Sequence, residues 1–188
     1  DQRLAQIIHD HTRRMNLVIE NVLQLSRRRQ AEPQLLDLKY WLHRFASEFR
    51  SNMPANQTLH LDTQVGTIQT RMDPNQLTQV LTNLVENGLR YSSQKNPRGQ
   101  VWLQLFREPE RDLPVLEIFD DGPGVSPEQS QNIFEPFFTT EAKGTGLGLY
   151  ISRELCESNQ AHIDYKPREE GGSCFRITFA HASKLSLQ

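Results

Sequence analysis

A glycine-rich segment at residues 143–149, KGTGLGL, constrains this chain more than any other part of its sequence. Its glycines, Gly144, Gly146 and Gly148, are spaced two apart and lead directly into a predicted helix over residues 147–158. A backbone that wraps a polyphosphate needs residues without a Cβ, so that its N–H groups can turn toward the anion. The positive N-terminal end of the helix strengthens such a site. A glycine cluster alone is more often a turn, so the segment needs support from elsewhere in the chain.

Two upstream segments supply that support, since residues 120–124 read DDGPG and residues 83–91 read NLVENGLRY. On a helix, Asn83, Asn87 and Arg90 stand at i, i+4 and i+7 and therefore share one stripe. A polar stripe is usually the wet side of a helix, but amide oxygens beside a guanidinium suit a hard cation with phosphates next to it. Together the three segments predict an ATP site in which one asparagine holds magnesium.

Helical and strand patterns are mixed along the chain without the regular order of βαβ units. This favours a two-layer α/β sandwich in which helices cover one face of a sheet. Helix starts are predicted after the caps Asp37 and Asp73, the second with Pro74 at the first helical position and a helix running to about Tyr91. Short strands are predicted at Leu59 and Leu61 and at residues 68–72, 101–107, 115–120, 163–165 and 174–179.

The amino-terminal residues carry a heptad pattern that predicts a long amphipathic helix. Its seam repeats at spacings of four and three, and consists of Leu4, Ile8, His11, Met15, Val18, Val22 and Leu25. One helix cannot bury its own apolar stripe, so a partner helix is expected. The predicted organisation is a helix at 1–30, a linker at 31–36, the ATP-binding domain at 37–180 and a tail at 181–188.

The bulk composition argues against several other classes of protein. A net charge of −2 over 188 residues gives no general attraction to nucleic acid, so no nucleic-acid partner is expected. Two cysteines are too few for a disulfide framework and indicate a reducing compartment. No apolar run approaches the roughly 20 residues that a membrane-spanning helix needs.

The three segments resemble the ATP boxes of the domain shared by sensor histidine kinases, gyrase, Hsp90 and MutL, over about residues 36–179. The resemblance implies that Mg·ATP lies between the asparagine helix and the glycine-rich loop. It implies that Asn87 holds Mg²⁺, that Asp120 accepts a hydrogen bond from the adenine amino group, and that Tyr91 packs on adenine. The residues that it places at the nucleotide are Asn87, Arg90, Tyr91, Asp120, Gly122, Gly124, Lys143, Gly144, Thr145, Gly146, Leu147 and Gly148.

Position 83 separates the branches of this family. Hydrolytic members place a glutamate four residues before the magnesium asparagine, whereas this chain has Asn83. An amide cannot act as a general base, which argues against hydrolysis and for phosphoryl transfer to another acceptor. Asn83, Asn87 and Lys143 are then the expected catalytic residues.

The segment at 133–138, IFEPFF, resembles the F box of sensor histidine kinases, whose exposed aromatic residues contact a helix bundle. Phe134, Phe137 and Phe138 are therefore expected to meet the bundle that carries the acceptor histidine. Two adjacent phenylalanines after a proline cannot easily both point into a core, which makes a simple core-covering loop the weaker interpretation.

The amino-terminal helix is similar to the second helix of that dimeric four-helix bundle. The acceptor motif of such kinases is a histidine followed by an acidic residue, a basic residue and proline, and His9 with Asp10 matches it only in part. We therefore expect the acceptor upstream of Asp1, rather than at His9 or His11, and no appreciable autophosphorylation of this chain alone.

The short lid that follows Phe138 resembles the nitrogen-regulatory type of sensor kinase, and residues 13–27 and 152–159 resemble its type IV pilus branch. This likeness implies the chain's own bundle and a second copy as partners, together with a response regulator that activates alternative-sigma-factor promoters. It also implies the cytoplasmic part of an inner-membrane protein in bacteria. Two alternatives remain open, an anti-sigma-type serine kinase and a non-catalytic ATP-binding docking module.

Overall fold

The structure is a computed structural model that describes residues 3–9, 11–12, 15–16, 19, 30–141 and 144–183. Its elements, in chain order, are β1 (Gln34–Asp37), α1 (Leu38–Ser51), β2 (Gln57–Thr63), β3 (Gln69–Met72), α2 (Pro74–Lys95), β4 (Gly99–Arg107), β5 (Pro114–Asp120), α3 (Pro127–Ser130), α4 (Gly148–Ser158), β6 (His162–Pro167) and β7 (Ser173–Thr178).

Five strands form the main sheet, in the order β2-β4-β5-β7-β6. β2 and β4 run parallel, and the other neighbouring pairs run antiparallel. Alternate residues of β4, namely Val101, Leu103 and Leu105, are buried on one face, and the residues between them are more exposed. One apolar face and one wetter face is the pattern expected when helices cover a single side of a mostly antiparallel sheet.

The central helix of the covering layer is α2, which presents one long apolar face to the core. Its buried apolar residues recur at helical spacing and are at most 3% exposed: Leu77, Val80, Leu81, Leu84, Val85 and Leu89. Leu38 and Leu42 of α1 and Cys156 of α4 belong to the same cluster as the sheet residues. The predicted α/β sandwich, with helices layered on one sheet face, is therefore confirmed.

Short elements account for most of the difference from the predicted pattern. Residues 34–37, most of which fall in the predicted linker 31–36, form β1 and pair antiparallel with β3. The single turn α3 is likewise not predicted. Four residues give only a weak periodic signal, and of the three described elements of this length β3 alone is predicted. α2 also continues to Lys95, four residues beyond the predicted end at Tyr91.

The described residues among the first nineteen are all helical, in agreement with the predicted amino-terminal helix. Leu4, Ile8 and Met15 of its seam are 60%, 58% and 63% exposed, and His11 is exposed as well. The remaining seam positions lie outside the described residues: Val18, Val22 and Leu25. In the described part of the chain, no helix has both the length and the apolar character that crossing a membrane requires.

Asp73 joins α2 to the segment that precedes β1. Its Oδ1 accepts the N–H groups of Asn75 (2.9 Å) and Gln76 (3.2 Å), which caps the helix. Its Oδ2 accepts the N–H of Glu32 at 3.1 Å, 41 residues earlier in the chain. One buried carboxylate therefore satisfies donors from the start of a helix and from the segment that leads into the domain.

We expect Asp73→Ala to lower the free energy of unfolding by about 1–3 kcal/mol, because a helix cap and a further hydrogen bond are lost together. Asp37→Ala is the matched control, since Asp37 caps α1 through the N–H groups of Lys39 (3.1 Å) and Tyr40 (3.3 Å). Urea unfolding followed by circular dichroism measures both losses. Equal losses would show that the contact with Glu32 contributes nothing.

Candidate functional site

Asp120 occupies the last position of β5 and is 3% exposed. Within the described residues, both hydrogen bonds of its carboxylate go to Oδ1, from the N–H groups of Gly122 (2.8 Å) and Ser173 (3.4 Å). Oδ2 is thereby left as an acceptor for an external donor, as recognition of an adenine amino group requires. Burial raises the pKa of Asp120 to about 6, although hydrogen bonds from the two N–H groups oppose this shift.

The turn between β6 and β7 packs directly onto Asp120, and the sequence does not predict this contact. Besides the N–H of Ser173, the turn supplies Arg168, whose Nη1 donates to the carbonyl oxygen of Asp120 at 3.1 Å. Gly172, with φ +88°, lies so close that a Cβ there would stand 2.0 Å from the same oxygen. The double glycine before β7 was the available signal, but a hairpin turn accounts for it equally well.

The two predicted glycines of the DDGPG segment lie in the wall beside Asp120. A Cβ on Gly122 would come 2.9 Å from Oδ1 of Asp120 and 2.9 Å from the carbonyl of Tyr91. A Cβ on Gly124 would come 2.9 Å from the carbonyl oxygen of Gly172. The structure therefore brings Asp120, both glycines and the backbone carbonyl of Tyr91 together, at the place where the sequence predicts an adenine pocket.

Asp121 fastens this segment to the end of α2. Its carboxylate accepts hydrogen bonds from the hydroxyl of Ser92 and from the side-chain amide of Asn96. The hydroxyl of Ser92, whose residue is fully buried, also accepts the N–H of Gln100 at 2.8 Å. The DDGPG segment is thus tied to the helix that carries Asn87.

The polar stripe of α2, which lies within one continuous helix, makes two separate contacts. Asn83 donates through Nδ2 to the hydroxyl of Ser152 on α4 at 2.9 Å, and its Oδ1 would lie 2.4 Å from a Cβ on Gly148. Oδ1 of Asn87 accepts Nη2 of Arg90 at 2.7 Å. Asn83 therefore connects the two helices that flank the predicted nucleotide, whereas Asn87 lies at the rim with Arg90.

Arg90 links Asn87 to the segment that leads into the glycine-rich loop. Its Nε donates to Oε1 of Glu141 at 3.0 Å, and its guanidinium lies 5.3 Å from the centre of the Tyr91 ring. The side chain of Arg90 is 50% exposed, so these contacts are screened by water and contribute less than about 1 kcal/mol. The guanidinium is therefore easily available to an anion.

The amide oxygen of Asn87 is a suitable but insufficient ligand for Mg²⁺. It is a hard oxygen donor at a partly exposed position. Among the described residues, no cluster of three or more His, Cys, Asp and Glu side chains could hold a metal. A single amide oxygen fits a magnesium ion that takes its other ligands from phosphate oxygens and water.

The glycine-rich loop leads into α4 as predicted, although Lys143 lies outside the described residues. Gly146 has φ +69°, and a Cβ there would stand 2.4 Å from the carbonyl carbon of Phe137. Thr145 accepts the N–H of Leu147 through its hydroxyl at 3.4 Å, and Leu147 is fully buried. Leu147 provides no side-chain cap for α4, which favours an anion at this helix end.

Two further predicted loop residues flank this arrangement. Gly148 is the first residue of α4, and the N–H of Gly144 donates to the carbonyl of Glu141 at 3.2 Å. A Cβ on Gly144 would stand 2.4 Å from the hydroxyl of Thr139. Both glycines therefore lie where the backbone is closely packed against neighbouring segments.

The three predicted bundle-contact residues differ in their exposure. Phe137 is 63% exposed and has φ +66°, which turns the chain sharply at this point. Phe134 and Phe138 are partly buried and pack against the core, and the ring of Phe134 meets Phe175 edge-on at 6.2 Å. Arg153 of α4 lies 5.9 Å from the ring centre of Phe134. Among the three, Phe137 presents the largest free apolar surface.

We expect Gly172→Ala to be much more destabilising than Gly66→Ala. Both positions have positive φ, which costs about 1–3 kcal/mol for a residue with a Cβ. A Cβ on Gly66 would meet nothing within 4 Å, whereas a Cβ on Gly172 overlaps the backbone of Asp120. Overpacking should add about 1–3 kcal/mol to the loss at Gly172. Urea unfolding of both variants measures the difference, and equal losses would contradict the close contact between Gly172 and the backbone of Asp120.

A sequence comparison places these features in a known family. The sequence model of the family described as "Histidine kinase-, DNA gyrase B-, and HSP90-like ATPase" matches residues 72–183. The sensor protein kinase PilS of Pseudomonas aeruginosa is 70% identical over 186 residues, which are 99% of this chain and 35% of PilS. The chain thus spans about a third of the length of that curated relative.

Solved structures share the fold. Full-length ShkA in complex with AMPPNP matches with a TM-score of 0.72 and 20% identity, over 93% of this chain and 37% of that chain. Histidine kinase ThkA in complex with the response regulator protein TrrA matches with a TM-score of 0.73 and 23% identity, over 92% of this chain and 49% of that chain. Because the family match covers more than half of its length, the chain belongs to the histidine kinase-, DNA gyrase B- and HSP90-like ATPase family.

Proposed function

We propose that this chain is the catalytic, ATP-binding part of a sensor histidine kinase, which transfers the γ-phosphate of Mg·ATP to a histidine of a helix bundle. The observation that carries this proposal is the buried carboxylate of Asp120. Its Oδ2 lies close to Gly88 of α2 and can accept a hydrogen bond from a bound molecule. The 70% identity to PilS, whose name is sensor protein kinase, favours this function over the serine kinase and the docking module.

In this proposal Asp120 selects the base. An ionised carboxylate can only accept hydrogen bonds. It therefore accepts one from the amino group of adenine and repels a base that presents an oxygen at the same position. The N–H groups of Gly122 and Ser173 hold Oδ1, which orients Oδ2. Tyr91, whose backbone carbonyl lies against Gly122, would offer its ring to the base.

Asn87 would hold Mg²⁺ through Oδ1 after Arg90 leaves that oxygen. Arg90, Gly144, Gly146 and the start of α4 would then meet the phosphates, together with Lys143. Bound magnesium would neutralise charge on the transferring phosphoryl group. The weak, exposed contacts of Arg90 make its exchange from Asn87 and Glu141 to a phosphate inexpensive.

We propose that Asn83 favours transfer over hydrolysis in two ways: its side chain has no basic group, and it contacts Ser152 of α4. Its amide cannot take a proton from water, so the site has no base at the position where hydrolytic relatives carry glutamate. Its contact with the buried Ser152 keeps α4 aligned with α2. Asn83 then contributes to catalysis by placing the two halves of the phosphate site.

The acceptor histidine and the partners are further parts of the proposal. We infer that a bundle helix of the full-length protein supplies the acceptor, a second copy completes the bundle, and Phe137 contacts it together with Phe134 and Phe138. The partner for the next transfer is then a response regulator, of the type that activates alternative-sigma-factor promoters; ThkA, which shares the fold, is solved with a response regulator protein. The chain would work in the bacterial cytoplasm, where ATP is available, as part of an inner-membrane sensor.

We expect ATP affinity to fall as the pH drops through about 6, because protonated Asp120 loses its acceptor character. The folded-state pKa lies above the usual value for aspartate, so the carboxylate is ionised above this pH and neutral below it. Calorimetric titration between about pH 5 and 8, values that bracket the transition, measures the change. Asp120→Asn controls for protonation of the nucleotide itself.

The amide that this control variant carries has no proton to gain, so the pH dependence of the variant reports ATP alone. We expect Asp120→Asn to weaken binding by about 1–3 kcal/mol at neutral pH, because the acceptor is replaced by an ambiguous amide. The ratio of the ATP affinity of the unaltered chain to that of Asp120→Asn should become smaller at acidic pH. A ratio that stays constant with pH would exclude Asp120 as the titrating adenine acceptor.

We expect Asn87→Ala to lower phosphoryl transfer by about 100-fold or more, because several kcal/mol of charge stabilisation depend on the bound metal. The assay uses labelled ATP, this chain and a separate polypeptide that contains the acceptor-bearing bundle helices. Asn56→Ala, at an exposed loop position, is the matched control and should transfer normally. Normal transfer by Asn87→Ala would remove Asn87 from the magnesium site.

The same assay tests the acceptor. Without the added bundle, this chain should take up no appreciable label, because transfer needs the nucleophile within about 3–3.5 Å of the reacting atom. Acid-labile label on the chain alone that disappears in His9→Ala or His11→Ala would contradict the proposal that the acceptor lies elsewhere.

A further inference from the structure

Arg168 lies behind the adenine acceptor, in the turn that follows β6. Its guanidinium stacks over the ring of Phe119 at 4.5 Å, and its Nη1 donates to the carbonyl oxygen of Asp120 at 3.1 Å. Its Nη2 lies 3.5 Å from Oε2 of Glu170. The Arg168 side chain is 26% exposed, so most of it is withdrawn from water. Two consecutive residues at the end of β5 are therefore held by one side chain.

The strand pairing explains why Asp120 needs this support. The ladder between β5 and β7 runs from Val115 with Thr178 to Phe119 with Cys174, and it stops one residue before Asp120. The N–H of Ser173 then donates to the carboxylate of Asp120 instead of to its backbone. A carbonyl at such a buried position requires a hydrogen-bond partner, and Arg168 provides one.

The chemistry of arginine suits both of its contacts. A planar guanidinium can stack on an aromatic ring and donate in its own plane at the same time, whereas an ammonium is a compact point charge. The positive charge also lies close to the Asp120 carboxylate and favours its ionised form. Rotation of the Asp120 backbone would break the contact with Arg168 and displace the carboxylate.

We propose that Arg168 is a positioning residue for base selection, which fixes the backbone of Asp120 so that Oδ2 points to the amino group of adenine. This inference rests on the proposed function, because it assumes that Asp120 reads the base. Arg168 does not touch the nucleotide in this role. It acts through Asp120, so its loss should affect the discrimination between bases more than the binding of phosphates.

The test compares the affinities of the whole chain for ATP and for inosine triphosphate, which carries an oxygen in place of the adenine amino group. We expect Arg168→Gln to weaken ATP binding by about tenfold, the value of one hydrogen bond, and to leave inosine triphosphate almost unchanged. The measured quantity is the discrimination ratio, which is the dissociation constant for inosine triphosphate divided by that for ATP. A general loss of folding would lower both affinities together and leave this ratio unaltered.

Arg176→Gln is the matched control. Arg176 also stacks on an aromatic ring, that of Phe106 at 5.7 Å, and pairs with Glu108 at 2.9 Å. It lies on β7, and its ion pairs and ring contact do not involve Asp120. Its replacement should therefore lower stability without changing the ratio of the two affinities.

Arg168→Lys is the second variant. It keeps the positive charge, and it can be measured if the glutamine variant does not fold. Arg168→Lys should lower the discrimination ratio as well, because an ammonium cannot both stack on Phe119 and donate to the Asp120 carbonyl as the guanidinium does. If the folded Arg168 variants show the same discrimination ratio as the unaltered chain, the positioning role alone is overturned. If the unaltered chain itself does not prefer ATP, the assignment of Asp120 to adenine fails, and the role of Arg168 fails with it.

Discussion

The packing of α2 against the sheet is the interaction on which the rest of the structure depends. Its apolar face is almost fully withdrawn from water, and each buried leucine or valine contributes about 1.5–3 kcal/mol relative to exposure. Gly88 lets the helix approach closely, since a Cβ there would stand 2.6 Å from Cγ2 of Val101. The helix cannot rotate without exposing this face. Asn87 and Arg90 are therefore held at the rim, and Asp120 is held against Gly88.

The two ends of the site differ in rigidity for a physical reason. Asp120 is enclosed by backbone from the DDGPG segment and from the turn between β6 and β7, so water competes little for its remaining oxygen. The same enclosure raises its pKa to about 6, which still leaves it ionised at neutral pH. Arg90 and Glu141, by contrast, meet in a water-accessible contact that exchanges readily. The surroundings of Asp120 are therefore closely packed, whereas the contact of Arg90 with Glu141 is adaptable.

The connections that unite the site are made mainly by side chains and turns, rather than by the sheet alone. Asn83 meets Ser152 across the interface of α2 and α4, and Asp121 meets Ser92 at the end of α2. Asp73 extends the same principle to the entrance of the domain through Glu32. α2 is thus fixed at its start, its middle and its end, which limits how far the predicted magnesium ligand Asn87 can move relative to Asp120.

The sequence by itself determined the features that repeat locally or follow each other closely along the chain. Mixed helical and strand patterns predicted the α/β sandwich, the caps at Asp37 and Asp73 marked helix starts, and three short segments predicted a nucleotide site. β1 and α3 were not predicted, since four residues give only a weak periodic signal. The tertiary structure alone decided that Arg168 and Ser173 support Asp120, 48 and 53 residues away, and that Asn83 meets Ser152, 69 residues away. Periodicity shows which side of an element is buried, but which residues meet there depends on how strands pair and helices pack, and these long-range contacts leave no regular spacing in the sequence.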